Sequence, residues 1–229
     1  MAATNSVFCN DTAITLDWAD VSGANLYHLQ VSLKPNFAST IVNDTALAVS
    51  TKSFADSGAN NAKRYWRWRY STDGGTTWSR WSEVGSYWLD TGGAGDVTLS
   101  QGKWSMFDPD SVTDIFTFDD YPMYAITPSR INRIKARNRQ GDLLSEYLTT
   151  KAIIEMEFDD SHFMTHRQKR EGDRFDAEIR TFFLAVYRSN GIDYVPNVWK
   201  VEFSEDPATS MLAAGREDYF TGSWKFEEA

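Results

Sequence analysis

Tyr65-Trp66-Arg67-Trp68-Arg69-Tyr70 places a large aromatic ring at every second position and a guanidinium in the gaps between them. Side chains of a strand point alternately to its two faces, so Trp66, Trp68 and Tyr70 share one face while Arg67 and Arg69 share the other. The segment therefore reads as a half-buried strand. The same period of two recurs upstream at Ile14, Leu16 and Trp18 and again at Tyr27, Leu29 and Val31. Turn-rich stretches separate these segments, among them Asp20-Val21-Ser22-Gly23-Ala24-Asn25 and Asp56-Ser57-Gly58-Ala59-Asn60-Asn61, and no stretch of residues 1–91 has helical spacing. An all-β sandwich is expected there.

Working outward, 229 residues are enough for two hydrophobic cores. Gly92-Gly93-Ala94-Gly95 lacks apolar anchors, which predicts a sandwich over 1–91, a flexible Gly-rich linker over 92–97 and a second domain over 98–229. A 41% hydrophobic content with nine Trp excludes a disordered chain. No apolar run approaches the ~18–20 residues of a membrane span. The start, Met1-Ala2-Ala3-Thr4-Asn5-Ser6, has neither a basic nor an apolar region, so export by a signal peptide is not expected. Cys9 is the only cysteine, which rules out an internal disulfide and points to a reducing compartment.

The net charge of −9 is unevenly divided: seven Lys/Arg face eight Asp/Glu in residues 1–91, whereas sixteen face twenty-four in residues 92–229. An acidic second half repels phosphates over about 8–10 Å and disfavours sequence-specific nucleic-acid binding. Its strands are legible. Ala152, Ile154, Met156 and Phe158 alternate with Glu155 and Glu157, Trp199, Val201 and Phe203 with Lys200 and Glu202, and Phe220, Gly222, Trp224 and Phe226 with Thr221, Ser223 and Lys225. Between the first two, Phe175, Ile179, Phe182, Phe183 and Val186 follow Asp173 at helical spacing and predict a capped amphipathic helix ending at Asn190-Gly191. Ser204 to Asp218 is long for a hairpin loop. A basic segment, Arg130, Arg133, Lys135, Arg137 and Arg139, ends in the turn Gln140-Gly141-Asp142.

In residues 11–90, Ile14-Thr15-Leu16-Asp17-Trp18, Tyr27-His28-Leu29-Gln30-Val31-Ser32 and Tyr65-Trp66-Arg67-Trp68-Arg69-Tyr70 resemble the B, C and F strands of a fibronectin type III domain. Arg64 stands where that family often has its corner tyrosine; either Tyr65 substitutes or the corner is absent. Ser71-Thr72-Asp73-Gly74-Gly75-Thr76-Thr77-Trp78 is similar to the Asp-box of sialidase-type propellers, where the motif shapes a turn. It occurs once, whereas a propeller needs periodic repeats, so a hairpin turn is expected. Trp78-Ser79-Arg80-Trp81-Ser82 resembles the W-S-x-W-S box of class I cytokine receptors, which implies a ladder of Trp78 and Trp81 with Arg67 and Arg69. A receptor would also need paired cysteines and a membrane span.

Chemistry-bearing residues are sparse. His162 and His166 are four apart near Asp159, Asp160 and Asp173, but the Glu of an H-E-x-x-H site is missing, and a solvated loop is the expectation. Asp108, Asp110 and Asp114 have a partial calcium-loop spacing interrupted by Pro109, and read as a polar linker. Asp119 and Asp120 are adjacent and would point apart on a strand, poor geometry for a carboxylate pair. No G-x-S-x-G elbow or phosphate-binding Gly loop is present. No catalytic residue, cofactor or metal ligand is expected.

From about residue 112 on, the turn around Arg139-Gln140-Gly141-Asp142-Leu143-Leu144, the strand ending Ile154-Glu155-Met156-Glu157-Phe158, a single helix and the closing Ser223-Trp224-Lys225-Phe226-Glu227-Glu228 resemble the phage distal-tail and tail-tube family. The resemblance implies an α+β tail-tube-like domain, a structural virion protein assembled in the host cytoplasm, and a homo-oligomeric ring, commonly a hexamer, that docks other tail proteins. DNA would only pass through its lumen. Arg130, Arg133, Lys135, Arg137 and Arg139 then become subunit-interface candidates, paired with acidic groups of a neighbour. Two alternatives remain open: an adhesin module binding a host-surface glycan through the first domain, and a hydrolase with an accessory fibronectin domain.

Overall fold

The computed structural model describes residues 5–99, 103–111, 113–118, 123–129, 133–137, 143–147, 151–159, 164–179, 181–189, 194–204, 208–211 and 219–229. The fold is mainly β, with one helix among the described residues. In chain order the first strands are β1 (Phe8–Cys9), β2 (Ala13–Asp17), β3 (Leu26–Ser32), β4 (Thr40–Leu47), β5 (Thr51–Ala55), β6 (Ala62–Ser71), β7 (Gly85–Leu89), β8 (Ser105–Phe107) and β9 (Ile115–Thr117). They are followed by β10 (Met123–Ser129), β11 (Arg133–Arg137), β12 (Leu143–Tyr147), β13 (Lys151–Phe158) and β14 (Met164–Thr165). Helix α1 (His166–Arg174) runs into a π-helical turn at Phe175–Ile179, and β15 (Thr181–Ser189), β16 (Tyr194–Phe203), β17 (Ala208–Met211) and β18 (Tyr219–Glu228) complete the chain.

Two compact units result, Met1–Thr117 with Phe183–Trp199, and Phe118–Phe182 with Lys200–Ala229. In the first unit a five-stranded sheet, ordered β1-β7-β6-β3-β4, lies beside the antiparallel pair β2-β5. Their inward residues share one core: Ile14 and Leu16 of β2 pack with Leu29 and Val31 of β3, Trp66 and Trp68 of β6, and Tyr87 and Leu89 of β7. The alternation that marks these strands in the sequence is the alternation between this core and the polar residues of the opposite face. A second cluster joins Val7, Phe8 and Val97 to Phe107 of β8 and Phe183 of β15, which meet in the β8-β15 ladder.

The Gly-rich stretch differs from the expected flexible linker at 92–97. Val7 N–H donates to the Val97 carbonyl at 2.8 Å, Val97 N–H donates to Phe8 at 2.9 Å, and the Asn10 amide donates to Asp96 Oδ1 at 2.8 Å. Residues 92–97 are thus a tied-down return within the first unit. Glycine is needed because a Cβ on Gly93 would lie 2.5 Å from Phe8 Cε1. Gly93→Ala is accordingly expected to cost about 1–3 kcal/mol by overpacking, read from the denaturant midpoint, whereas a free linker would tolerate it without change.

In the second unit β13 and β18 pair antiparallel from Ile153↔Glu227 to Phe158↔Gly222, with β10 on the far side of β13. Strands β14, β17 and the end of β16 also pair with β18. Trp224 lies at the centre of an aromatic core, with Phe118, Phe158 and Phe203 rings 5.4–5.8 Å away.

The helix is not where the apolar spacing places it. Residues 175–186 do not form an amphipathic helix capped by Asp173: α1 begins nine residues before Phe175, capped by Thr165, which accepts from the Gln168 amide while Gln168 returns a bond to the Thr165 amide. The residues from Thr181 onward are strand β15. Phe182 through Tyr187 are six consecutive buried residues, and in a continuous apolar run a 3.6-residue period can be picked out of any strand buried on both faces. The true helix shows no apolar stripe because it presents Gln168 and Gly172 to the interior. A Cβ on Gly172 would sit 2.4 Å from the Trp224 ring.

A candidate functional face on the five-stranded sheet

Strand β6 turns Trp66 and Trp68 into the core and Arg67 and Arg69 to the opposite face. The chain after β6 returns along it, and its two serines fix the register. Ser79 N–H donates to the Tyr70 carbonyl at 2.9 Å while Tyr70 N–H donates to Ser79 Oγ at 3.1 Å; Ser82 and Trp68 repeat this exchange at 2.8 and 3.0 Å. Trp78 and Trp81 are thereby set beside the two arginines. The Arg67 guanidinium lies 4.2 Å from the Trp81 ring, and Arg69 lies 4.5 Å from Trp81 and 5.0 Å from Trp78. Each such contact contributes about 0.5–2 kcal/mol, so a packing role accounts for the motif.

The ladder continues through residues that the sequence reading did not single out. Arg67 also covers Phe37 at 4.1 Å and donates two hydrogen bonds to Gln30 Oε1, at 3.0 and 2.8 Å. Arg69 Nε donates to His28 Nδ1 at 3.1 Å, which leaves His28 Nε2 to donate to Asn43 Oδ1 at 2.7 Å. Burial, and behind it the charges of Arg69 and Arg67, hold the His28 imidazole below its usual range. A neutral His28 is what this arrangement requires, because protonation would turn its acceptor for Arg69 into a third cation. Only the alternation of His28 and Gln30 with Tyr27, Leu29 and Val31 is visible in the sequence; it is the β3-β6 register that sets them opposite Arg69 and Arg67.

The Asp-box residues form a hydrogen-bonded turn that is also tied to Asn25, whose Oδ1 accepts from the Gly74 amide at 3.1 Å. Ser71 Oγ donates to Asp73 Oδ1 at 2.7 Å and accepts from the Gly75 amide at 2.9 Å, and the other Asp73 oxygen accepts from Thr77 Oγ1 at 2.6 Å. Gly74 and Gly75 adopt φ of 71° and 89°, where a side chain would be strained. The Thr77 hydroxyl, then the Thr77 amide and Ser71, pull the Asp73 carboxyl from its ordinary 3.8 down to about 2. A depressed acid stabilises the fold above its unfolded value, and that contribution is lost as pH falls through about 2. A carbon-detected NMR titration should place Asp73 there, and Thr77→Val should return it toward 3.8.

The remaining candidates are dispersed. Arg133, Lys135 and Arg137 occupy alternate positions of β11, while Arg130 and Arg139 lie outside the described residues. His166 is the first residue of α1, with its ring 5.9 Å from Phe220, and His162 lies outside the described residues, as do Asp119 and Asp120. Asp108 caps the β8-β9 turn by accepting from the Asp110 amide at 2.9 Å. No group of three or more His, Cys, Asp or Glu among the described residues could hold a metal ion, and no helix among them is long and apolar enough to cross a membrane. Cys9 is buried, and burial first, then Asp96, push its thiol far up, which makes it a poor nucleophile. Comparison with protein-family models, with curated proteins and with solved structures finds no match.

Proposed function

We propose that this chain is a structural component of a phage tail, a distal-tail ring or tube-like subunit that closes into a homo-oligomeric ring and docks neighbouring tail proteins. The observation that carries the reading is the β11-β12 hairpin of the second unit. Its strands pair from Arg133↔Tyr147 to Arg137↔Leu143, and among the described residues neither pairs with a third strand. A two-stranded hairpin is marginal in water by itself, so a surface supplied by a neighbouring subunit is the natural source of its stability. Its basic residues lie in a half of the chain where acids outnumber bases by twenty-four to sixteen. Charge complementarity of that kind sets register and orientation between copies, and repeated contact between identical subunits closes into a ring.

Two further features support it. The second unit combines one helix with long paired strands that end at Glu228, the element order behind the resemblance to tail-tube and distal-tail proteins. In the first unit, β2-β5 faces a sheet containing β3, β6 and β7, in keeping with the B-E and C-F-G arrangement of a fibronectin type III domain acting as an outward module. No catalytic role is assigned. The direct test is charge reversal, Arg133→Glu with Arg137→Glu. Size-exclusion chromatography with light scattering should show at least about tenfold weaker assembly, equivalent to about 1.4 kcal/mol, with an unchanged circular-dichroism spectrum. Undiminished assembly would contradict the role given to the hairpin.

A further inference from the structure

His28 is 4% exposed, closed in by the rings of Trp81 and Trp78 at 4.7 and 5.6 Å. Both of its ring nitrogens are committed, Nδ1 as the acceptor for Arg69 Nε and Nε2 as the donor to Asn43 Oδ1. Only the neutral ring with its proton on Nε2 can do both. Arg69 cannot adapt by giving up a proton, since a guanidinium stays charged at any pH the fold survives. A proton added to Nδ1 therefore sets N–H against N–H at 3.1 Å and cation against cation, where little water is present to screen them.

The surrounding charges do not offset this. On β6, Arg69 and Arg67 both oppose a further cation, and neither is paired with a carboxylate among the described residues. On β4, Asp44 favours the proton, but its carboxylate is bound to Lys52 of β5 at 2.9 Å. Lys52, and after it the Ala46 amide, hold Asp44 below the usual carboxylate range, so it stays ionised and neutralised by Lys52 while His28 titrates. The returning segment 78–83 contributes the two indoles, with the exposed and opposite charges of Arg80 and Glu83 on the same stretch. Burial, and then the two guanidiniums, outweigh Asp44 and keep the imidazole below its ordinary 6.5.

We propose that His28 is an acid-operated latch: its protonation drives the Arg69 side chain off Nδ1 and away from Trp78 and Trp81, unstacking the ladder on this face of the first unit. Ser79 and Ser82 hold the segment to β6 through backbone and hydroxyl bonds that do not titrate, so its register survives while its side chains let go. The two tryptophans respond unequally. Trp78 loses the guanidinium 5.0 Å from its ring, whereas Trp81 keeps Arg67 at 4.2 Å. Because the unfolded chain takes this proton more readily than the folded one, the ladder's contribution to stability is complete above 6.5 and is lost as pH falls through the lower folded value. The first unit thus presents a closed cationic and aromatic face at neutral pH and an open one in acid.

The test is an NMR titration of the full chain, with ¹⁵N-labelled histidine and tryptophan, from about pH 8 to about pH 4, the range in which imidazoles change charge. His28 should titrate below 6.5, and the Trp78 indole signal should move with the same midpoint and further than Trp81, while the core indoles of Trp66 and Trp68 stay in place. His28→Gln supplies an acceptor for Arg69 and a donor for Asn43 without a titratable group. Its ladder should form, and the Trp78 shift should be lost. Arg69→Gln removes one opposing charge and should raise the His28 midpoint toward 6.5. A His28 that titrates with no movement of Trp78, a Trp78 shift that persists in His28→Gln, or a midpoint unmoved in Arg69→Gln would overturn the proposal. So would unfolding of the core before His28 takes up its proton.

Discussion

Asp56→Ala is expected to lower the stability of the first unit by about 3–5 kcal/mol, because it strands a buried guanidinium. Asp56 and Arg64 have side chains that are 0% exposed, and they meet through Arg64 Nε and Asp56 Oδ2 at 2.8 Å. Tyr87 donates to the same oxygen at 2.8 Å, and the Gly58 amide donates to the other at 2.8 Å. The rest of the guanidinium is satisfied by the carbonyls of Ala59 at 2.6 Å and Ala62 at 3.0 Å. Every partner lies on the 56–62 corner or on β6 and β7, so the pair locks the turn into β6 onto the sheet. An Arg-Asp-Tyr network thus holds this corner of the first unit.

The size of the effect follows from asymmetry. Removing one partner leaves a charge without solvent or counter-ion, whereas removing both with apolar replacements is close to neutral. Guanidinium denaturation should therefore rank Asp56→Ala as severe, Tyr87→Phe as mild at about 1 kcal/mol, and Asp56→Leu with Arg64→Met as far less harmful than Asp56→Ala. Equal losses in the single and double variants would show that apolar packing cannot take the place of the pair and would contradict this asymmetry.

Trp224→Ala is the second large effect, at about 3–5 kcal/mol in the other unit. Trp224 is fully buried, and its ring is held edge-on by Phe118, Phe158 and Phe203 with Gly172 of α1 against it. Deleting the indole empties the centre of that core and removes the surface on which the helix rests. Trp224→Phe should cost much less, since it keeps an aromatic ring and eliminates a buried Nε1–H that has no partner. Gly172→Ala probes the same contact from the helix side. Alanine favours helix by about 1 kcal/mol, yet the added Cβ meets the indole at 2.4 Å, and net destabilisation is expected. Hydrogen exchange at α1 and β13 should accelerate in Trp224→Ala and Gly172→Ala; a helix unaffected by both would contradict this packing.

What the sequence made legible was determined by how each element is buried. Strands with one polar face, such as β6, β13 and β18, carry their alternation openly. β15 is buried on both faces and lost its period, and α1 packs through Gln168 and Gly172, which a hydrophobic pattern does not register. Gly92-Gly93-Ala94-Gly95 looks the same whether free or pinned, because the Phe8 ring that demands glycine is eighty-five residues away. Asp56 and Arg64 lie in a polar, turn-rich stretch that resembles surface, and only the fold brings Tyr87 to them. For the face of β6, the W-S-x-W-S pattern and the alternating arginines were readable in the sequence, while the His28 and Gln30 layer required the β3-β6 register.

Negative-stain electron microscopy of the purified full chain, over a series of protein concentrations, bears most directly on the proposed role. Closed rings of uniform diameter, with six subunits the first expectation, are the predicted outcome. Single particles of 26.0 kDa at every concentration would contradict it, since a hairpin that no copy of the chain covers would leave the ring without its contact.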